Sequence, residues 1–291
     1  MGPRGTLSAS APNRWVFFPQ QCSAGYARTR AGADEAGPDG GGSVSRTSVA
    51  VVSDLGSTGD AVADAVAAHE AVHVERTTPT DGAVSVDDDV EAVFAVGEEA
   101  LIALGASEFD EPVVPVDVGA GRYELSSDAV TSAADALVRA AFETVPHPVL
   151  EVDVGGATAG VAVTDVTLLT SEPARISEYA IESPNGWRDT VRSDGVVVAT
   201  PLGSAGYARD AGGPLLAPET GLVAVPISPY AMHADSWVLR PPTSLSVERD
   251  EAAVSLLLDD DSVRSVPPQT PIQITVGREL SLVRPQTLGD G

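Results

Sequence analysis

Residues 193–218 read SDGVVVATPLGSAGYARDAGGPLLAP, and the interpretation of the whole chain starts from this stretch. Residues 196–199 (VVVA) are apolar and rich in β-branched side chains, as in a buried strand. They run directly into residues 200–207 (TPLGSAGY), where glycines let the main chain turn tightly and bring N–H groups close to a ligand. The pattern predicts a strand followed by a loop with the capacity to bind a ligand.

The loop also carries side chains that could bind a phosphate or a ribose. Thr200 and Ser204 supply hydroxyl groups for hydrogen bonds, and Tyr207 offers a flat ring with a polar tip. Gly212 and Gly213 allow a second close approach of the main chain. Spacing alone leaves an ordinary strand–turn–helix corner equally open.

The same stretch resembles the signature of the NAD kinase family, written DG-hydrophobics-TPTGSTAY-small-GGP. The chain departs from it at Leu202, Ala205 and Gly206, where the family has Thr, Thr and Ala. The resemblance implies that this loop cradles NAD. The matching residues are Asp194, Gly195, Thr200, Pro201, Gly203, Ser204, Tyr207, Gly212, Gly213 and Pro214.

Weaker similarities to the family lie on either side of the signature. Residues 226–230 (PISPY), followed by Arg240 and Pro241, resemble its PI-x-PH…RP segment, with Tyr230 in place of His. Residues 115–119 (PVDVG) resemble its INxG turn. The likeness covers roughly residues 48–285 and is strong only over residues 193–241.

At the family's GGDGT position this chain has residues 96–101, VGEEAL. Aligning Gly97 with the first glycine places Glu99 at the family's Asp, which the resemblance implies is the general base for the ribose 2′-hydroxyl. Glu98 then replaces a glycine near the phosphates, where two unit charges about 4 Å apart repel by about 4 kcal/mol unless a cation such as Mg²⁺ bridges them. Alternatively, both glutamates simply form an acidic first turn of a helix, favoured by the helix dipole.

A second departure concerns the family's Asn-Glu pair, which contacts the dinucleotide. Thr164 and Asp165 stand at the matching place. Both can hydrogen-bond, but their reach is shorter. Without the resemblance, such a pair is more typical of an exposed strand edge.

The order of apolar segments predicts an α/β fold with a doubly wound N-terminal α/β domain and a mostly β C-terminal domain. Strands alternate with helices up to residue 146, and then strands separated by Pro and Gly follow. Residues 160–169 are predicted as one strand, and residues 272–276 as the last. We expect a disordered extension over residues 1–45, an α/β domain over residues 46–146 and a mostly β NAD-binding domain over residues 147–291.

The charge of the chain is strongly negative. It has 42 Asp and Glu against 17 Lys and Arg, a net charge of −25, and contains no lysine. Either an acidic surface attracts a basic partner, or the composition reflects a salt-loving organism whose proteins stay soluble through carboxylates. Nucleic-acid binding is disfavoured because the phosphate backbone would be repelled.

Other features limit the location and the kinds of site. There is no run of 18 apolar residues and no signal-peptide pattern, so we expect a cytoplasmic protein without a membrane segment. Cys22 is the single cysteine and excludes an internal disulfide. His69 and His73 straddle a predicted helix end, so no metal ligands are assigned. Residues 259–261 (DDD) are predicted as a solvated turn, at the place where the family has a DG turn.

Three functions follow from these patterns. The first is an NAD kinase that uses ATP or polyphosphate with Mg²⁺ or another divalent cation. The second is an inactive or weakened NAD(P)-binding relative with a regulatory role, motivated by the altered GGDGT position. The third is a lipid kinase of the diacylglycerol type, which the lack of a membrane-seeking segment disfavours. The resemblance also implies a homo-oligomer, either a dimer or a tetramer.

Overall fold

The computed structural model of the protein describes residues 46–284, except residues 173, 174 and 233. The predicted disordered extension over residues 1–45, including Cys22, lies outside the described residues. Within the described part of the chain, no helix is long and apolar enough to cross a membrane.

The N-terminal part of the fold is a parallel sheet with helices on both faces. Its strands lie in the order β2-β1-β3-β4, and every neighbouring pair is parallel. Alternate residues of one strand face opposite layers: Val49 and Val51 pack with α1 and α3, while Ala50 and Val52 pack with α2. This arrangement confirms the predicted doubly wound architecture. The elements are β1 (Thr47–Ser53), α1 (Ser57–Ala67), β2 (Val72–Thr77), β3 (Ala92–Val96), α2 (Glu98–Ala106), β4 (Val113–Val116) and α3 (Val130–Val138).

The strand order creates a crevice at one edge of this sheet. From β1 the chain passes to β2 on one side, whereas β3 lies on the other side of β1. Open α/β sheets bind ligands outside the carboxyl ends of the strands at such a switch point. Here those ends lead into Asp54 after β1 and Gly97 after β3.

The C-terminal part is built almost entirely of strands, as predicted. A 10-stranded sheet continues from the parallel strands, and a separate six-stranded sheet has the order β12-β11-β10-β7-β14-β15. An apolar core lies between the two sheets. The strands are β5 (Thr144–Val154), β6 (Ala157–Ala162), β7 (Asp165–Thr170), β8 (Ser177–Glu182), β9 (Arg188–Ser193), β10 (Gly195–Ala199), β11 (Leu222–Ile227), β12 (Trp237–Leu239), β13 (Thr243–Arg249), β14 (Val254–Leu258), β15 (Asp261–Val266) and β16 (Ile272–Val283); the short helix α4 covers Tyr207–Asp210.

Two strand predictions are wrong. Residues 160–169 form two strands, because the main chain leaves the sheet at Val163 and Thr164. The last strand does not stop at residue 276. β16 continues to Val283, pairs with β5 over its whole length and reaches β4 through Leu282. The division proposed at residues 146 and 147 falls inside β5. The assignment of separate domains stays a prediction.

Arg278 of β16 fixes the position of α2. Its guanidinium donates hydrogen bonds to the carbonyl oxygens of Leu104 (2.6 Å), Gly105 (2.5 Å) and Phe109 (3.2 Å). The first two are carbonyls at the C-terminal end of α2, which have no partner within the helix. The missing side chain of Gly105 also admits Val163, since a Cβ there would lie 2.0 Å from Val163 Cγ2. The N-terminal turn of α2 is thereby held at the switch point.

Candidate nucleotide-binding site

A pocket opens where four loops and the N-terminus of α2 meet. Its volume is ≈ 140 Å³. The loops follow β4, β6, β10 and β14, so the pocket joins the switch-point crevice to the six-stranded sheet. The lining residues are Glu98, Val118, Gly119, Ala120, Thr164, Asp165, Leu202, Gly203, Gly206, Tyr207 and Asp260.

Some of the residues predicted from sequence line this pocket and others do not. Glu98, Thr164, Asp165, Gly203 and Tyr207 line it. The turn that resembles INxG contributes Val118 and Gly119. The remaining predicted residues, which lie outside the lining, are Gly97, Glu99, Asp194, Gly195, Thr200, Ser204, Gly212 and Gly213.

Asp194 and Gly195 lie at the far end of β10 from the glycine-rich loop. β10 begins at Gly195 and ends at Ala199, immediately before that loop. A Cβ on Gly195 would lie 2.4 Å from the carbonyl oxygen of Leu168. Gly195 of the DG pair therefore allows β10 to lie close beside β7 in the sheet.

The hydroxyl groups of Thr200 and Ser204 are bonded to the main chain. Thr200 Oγ1 lies 2.9 Å from the carbonyl oxygen of Val163 and accepts a hydrogen bond from the N–H of Gly203 at 3.2 Å. Ser204 Oγ donates to the carbonyl oxygen of Pro201 at 2.6 Å and accepts from the N–H of Leu216 at 2.9 Å. Both side chains are fully buried. They fix the shape of the loop, and their direct contact with a ligand stays a prediction.

The glycines of the signature differ in what they permit. At Gly203 a Cβ would lie 2.1 Å from the carbonyl oxygen of Thr164, so only glycine lets the two pocket loops touch. At Gly213 it would lie 2.7 Å from the carbonyl oxygen of Ala208. Gly212 has open space around it but a φ of +95°, which favours glycine. These glycines shape the loop from within.

Sequence reasoning missed Asp259. The turn over residues 259–261 was predicted to be solvated, and for Asp259 this is wrong: only 7% of it is exposed. Its carboxylate accepts hydrogen bonds from the N–H groups of Val163, Thr164 and Asp165. The neighbouring Asp260 lines the pocket. The match to the family's DG turn was the signal that could have pointed to this place.

The charged side chains among the described lining residues are all carboxylates: Glu98, Asp165 and Asp260. Burial raises the pKa of Asp165 to about 7, against a hydrogen bond from Thr167 that lowers it, and nearby carboxylates raise it further. Burial, followed by the charges of Asp260 and Asp259, also raises the pKa of Glu98. Carboxyl groups that titrate closer to neutral pH are suited to accept or donate protons.

Glu99 lies on the first turn of α2 next to Glu98; both residues are exposed, but only Glu98 lines the pocket. A hydrogen bond with Asp54, and then the charge of Asp54, raise the pKa of Glu99. The two side chains form a carboxyl pair beyond the carboxyl ends of β1 and β3. The structure therefore separates two neighbouring glutamates that sequence could not distinguish: Glu98 enters the pocket, and Glu99 pairs with Asp54.

The histidine pair of the sequence does not form a metal site. His69 pairs with Asp135, with Nε2 and Oδ1 2.9 Å apart, and its Nδ1 accepts a hydrogen bond from the N–H of Ala71. Across the residues that the structure describes, no group of three or more His, Cys, Asp or Glu side chains converges to hold a metal ion by itself.

The free energy of unfolding is expected to depend on pH through Asp165. Its pKa is about 7 in the folded protein against an ordinary 3.8, so its contribution to stability is complete below pH 3.8 and is lost as pH rises through 7. The difference corresponds to about 4 kcal/mol. Asp165→Asn keeps the acceptor for Thr167 and removes the titration. Denaturant unfolding should therefore show the variant gaining about 3 kcal/mol relative to the parent between pH 4 and pH 7.

Asp250→Asn is the control, because Asp250 is an exposed aspartate. Its unfolding free energy should follow that of the parent across the same pH range. If Asp165→Asn also runs parallel to the parent, Asp165 has no raised pKa in the folded protein.

Fold and site together define the class of protein. It is a doubly wound α/β fold joined to a β-sandwich, with a pocket at the switch point between them. Residues 163–284 match the ATP-NAD kinase C-terminal domain. This part of the chain is therefore similar to the C-terminal domain of ATP-NAD kinases.

Curated relatives are similar over part of their length. The chain is 28% identical to the NAD kinase of Methanopyrus kandleri over 169 residues, covering 56% of this chain and 61% of that protein. It is 25% identical to the NAD kinase of Methanosarcina acetivorans over 185 residues, covering 62% of this chain and 66% of that protein. The match thus spans just under two thirds of each of these two relatives.

Solved structures show the same fold. An NAD kinase from Archaeoglobus fulgidus in complex with ATP superposes with a TM-score of 0.62 at 21% identity, covering 83% of this chain and 95% of that one. Yeast NADH kinase complexed with NADH gives a TM-score of 0.65 at 14% identity, covering 82% of this chain and 83% of that one.

Proposed function

We propose that this protein is an NAD kinase, which transfers a phosphoryl group from ATP or polyphosphate to the 2′-hydroxyl of NAD and forms NADP. One observation carries the proposal: the glycine-rich signature loop touches the Thr164–Asp165 loop at Gly203 and lines a pocket at the switch point. The relatives named above support it, since one is described in complex with NADH and another in complex with ATP.

Three of the lining side chains have chemistry suited to binding NAD. The ring of Tyr207 is 43% exposed and can stack against a base or a nicotinamide. Thr164 and Asp165 can hydrogen-bond ribose hydroxyls. Contacts of NAD with the other signature residues, including Gly97, Asp194 and Gly195, stay predictions. At ≈ 140 Å³ the pocket holds only part of a dinucleotide, and the remainder lies along its open side.

Glu98 is the stronger candidate for the general base. It lines the pocket, and its raised pKa makes it a better proton acceptor than an ordinary carboxylate. Glu99, at the position of the family's Asp, is the competing assignment. It could act only if NAD extends beyond the pocket toward Asp54.

A divalent cation such as Mg²⁺ fits the chemistry of the site. Asp260 offers the hard oxygen donors that Mg²⁺ prefers, and Mg²⁺ is usually held by one or two carboxylates together with substrate phosphates. Glu98 is not assigned to the cation, because a bound cation would lower its pKa and remove it as a base. When bound, Mg²⁺ would neutralise phosphate charge. Without it, the acidic pocket repels both NAD and ATP.

The proposal is tested by measuring NADP formation from NAD, ATP and Mg²⁺ with the full chain, at low and at molar salt. Calorimetry measures NAD binding in parallel. NADP formation establishes the kinase. Binding of NAD without turnover identifies a non-catalytic relative with a regulatory role, for which the residues Glu98 and Glu99 at the GGDGT position would be the reason. Folded protein that shows neither refutes the proposal.

We also propose that the protein works as a homo-oligomer in a salt-rich cytoplasm. Tyr230 and Met232, two positions apart in the chain, are 71% and 97% exposed, and exposed apolar surface favours an interface. The net charge of −25 suits high salt, which screens repulsion between carboxylates. Light scattering over a range of salt concentrations measures the oligomeric state, and a monomer at every concentration would contradict this proposal.

A further inference from the structure

Three buried side chains from different parts of the fold meet at the peptide of Val163. This residue lies in the break between β6 and β7, immediately before the pocket residues Thr164 and Asp165. Its carbonyl oxygen lies 2.9 Å from Thr200 Oγ1 and 2.9 Å from Nε2 of His147. Its N–H donates to the carboxylate of Asp259 at 3.1 Å. Both polar groups of the residue are therefore held by side chains distant in sequence.

His147 contributes from β5, behind the pocket. It is 4% exposed, and burial lowers its pKa to about 4, so the imidazole is neutral and has a single N–H at neutral pH. A carbonyl oxygen can only accept, which assigns that proton to Nε2. The one hydrogen-bond donor of His147 is thus directed to the pocket loop, and the residue lies outside the pocket lining.

Asp259 contributes from the turn after β14, on the opposite sheet. Its Oδ1 accepts from Thr164 N at 2.7 Å, from Thr164 Oγ1 at 2.7 Å and from Asp165 N at 3.2 Å. Val163 N is 3.1 Å from each of the two carboxylate oxygens. In the opposite direction, the main-chain N–H of Asp259 donates a hydrogen bond to the carbonyl oxygen of Asp165 at 2.9 Å. Three successive residues of the loop are held by one side chain.

The Val163–Asp165 main chain is in turn hydrogen-bonded to the signature loop. The carbonyl oxygen of Thr164 accepts from the N–H of Thr200 at 2.9 Å and lies against Gly203. Any rotation of the Val163 peptide would therefore turn the side chains of Thr164 and Asp165 and shift the loop that carries Tyr207. Such displacements change the contacts offered to a ligand, and a misplacement of about 1 Å can cost about 100-fold in reaction rate.

We propose that His147 and Asp259 are positioning residues, which set the affinity of the site for a dinucleotide without touching it by fixing the Val163–Asp165 main chain. This inference rests on the proposed function for the identity of the ligand. The fixing of the loop itself does not depend on the ligand.

The first test compares His147→Leu, which removes the donor but keeps the bulk, with His147→Gln, which restores an N–H donor. His147→Leu should raise the KM and the calorimetric Kd for NAD about 10-fold while kcat changes less than about twofold, as expected for lost uniform binding. His147→Gln should recover most of that affinity. Val152→Ala is the matched control, because Val152 is a buried residue of the same strand in the core between the sheets. It should lower stability and leave KM unchanged.

The second test compares Asp259→Ala with Asp259→Asn. Asparagine keeps the Oδ1 acceptor, which receives most of these hydrogen bonds, so the KM for NAD should rise clearly less for Asn than for Ala. Unchanged KM in His147→Leu and Asp259→Ala would overturn the inference. So would equal losses in the Leu and Gln variants, or an equal rise of KM in Val152→Ala.

Amide hydrogen exchange separates this inference from the proposed function. The amides of Thr164 and Asp165 should exchange faster in His147→Leu and Asp259→Ala than in the parent, and regain protection in His147→Gln. If the parent binds no NAD, the proposed function fails, and the exchange rates alone decide the positioning role. Unchanged protection in both loss variants would overturn it.

Discussion

Replacing Gly203 with alanine is expected to lower NADP formation about 100-fold. The added Cβ would lie 2.1 Å from the carbonyl oxygen of Thr164, whereas non-bonded heavy atoms in ordinary contact stay about 3.5 Å apart. The loop must therefore retreat by more than about 1 Å, and a displacement of that size costs about 100-fold in rate. The main chain fixes the position of the added Cβ and of the carbonyl oxygen, so no side-chain rotation relieves the clash. Steady-state kinetics with NAD and ATP measure the loss, and thermal unfolding should show a stability loss of about 1–3 kcal/mol.

Gly206→Ala is the matched control in the same loop. Gly206 also lines the pocket, but a Cβ there would meet nothing closer than the carbonyl oxygen of Gly203 at 3.6 Å. Its φ of −92° is common to all residues, whereas its ψ of −128° lies outside the α and β regions; alanine is nevertheless what the family signature has at this position. Activity should stay within about threefold of the parent, since overpacking is absent. Equal losses in both variants would contradict the role assigned to the Gly203–Thr164 contact.

Replacing Glu98 with glutamine should lower kcat by about 10²- to 10⁴-fold, the range supplied by a general base. The KM for NAD should stay the same or fall, because glutamine removes a negative charge from a pocket that must hold phosphates. A fall in kcat without a rise in KM separates lost chemistry from lost positioning. The kinetics should be measured at saturating Mg²⁺, so that weaker cation binding does not dominate the result.

Glu99→Gln provides the comparison one residue along the same helical turn. Glu99 lies outside the pocket lining and pairs with Asp54, so the kcat of Glu99→Gln should fall less than about fivefold if Glu98 is the base. The reverse pattern would show that alignment with the family's GGDGT motif identified the base correctly. It would also mean that NAD reaches the switch point beyond the pocket.

Much of the fold could be predicted because its signals are local. The strand Gly195–Ala199 differs by one residue from the strand predicted over residues 196–199, and the strands Ala92–Val96 and Val254–Leu258 likewise coincide with mostly apolar runs. Consecutive apolar residues indicate a buried strand, and glycine, proline or acidic residues mark its end. The family signature likewise occupies one uninterrupted stretch, so the loop that lines the pocket could be identified before its surroundings were known.

The sequence by itself determined the doubly wound and β-rich layers and the position of the glycine-rich loop that lines the pocket, because neighbouring residues encode both. Only the tertiary structure decided which side chains face the pocket. Asp259 meets Thr164 across 95 positions of sequence, and His147 meets Val163 from a different strand. The choice between Glu98 and Glu99 depended on how α2 is fixed by Arg278. These contacts join segments that lie far apart in the chain. No local sequence pattern indicates which polar groups will be buried together in the folded protein.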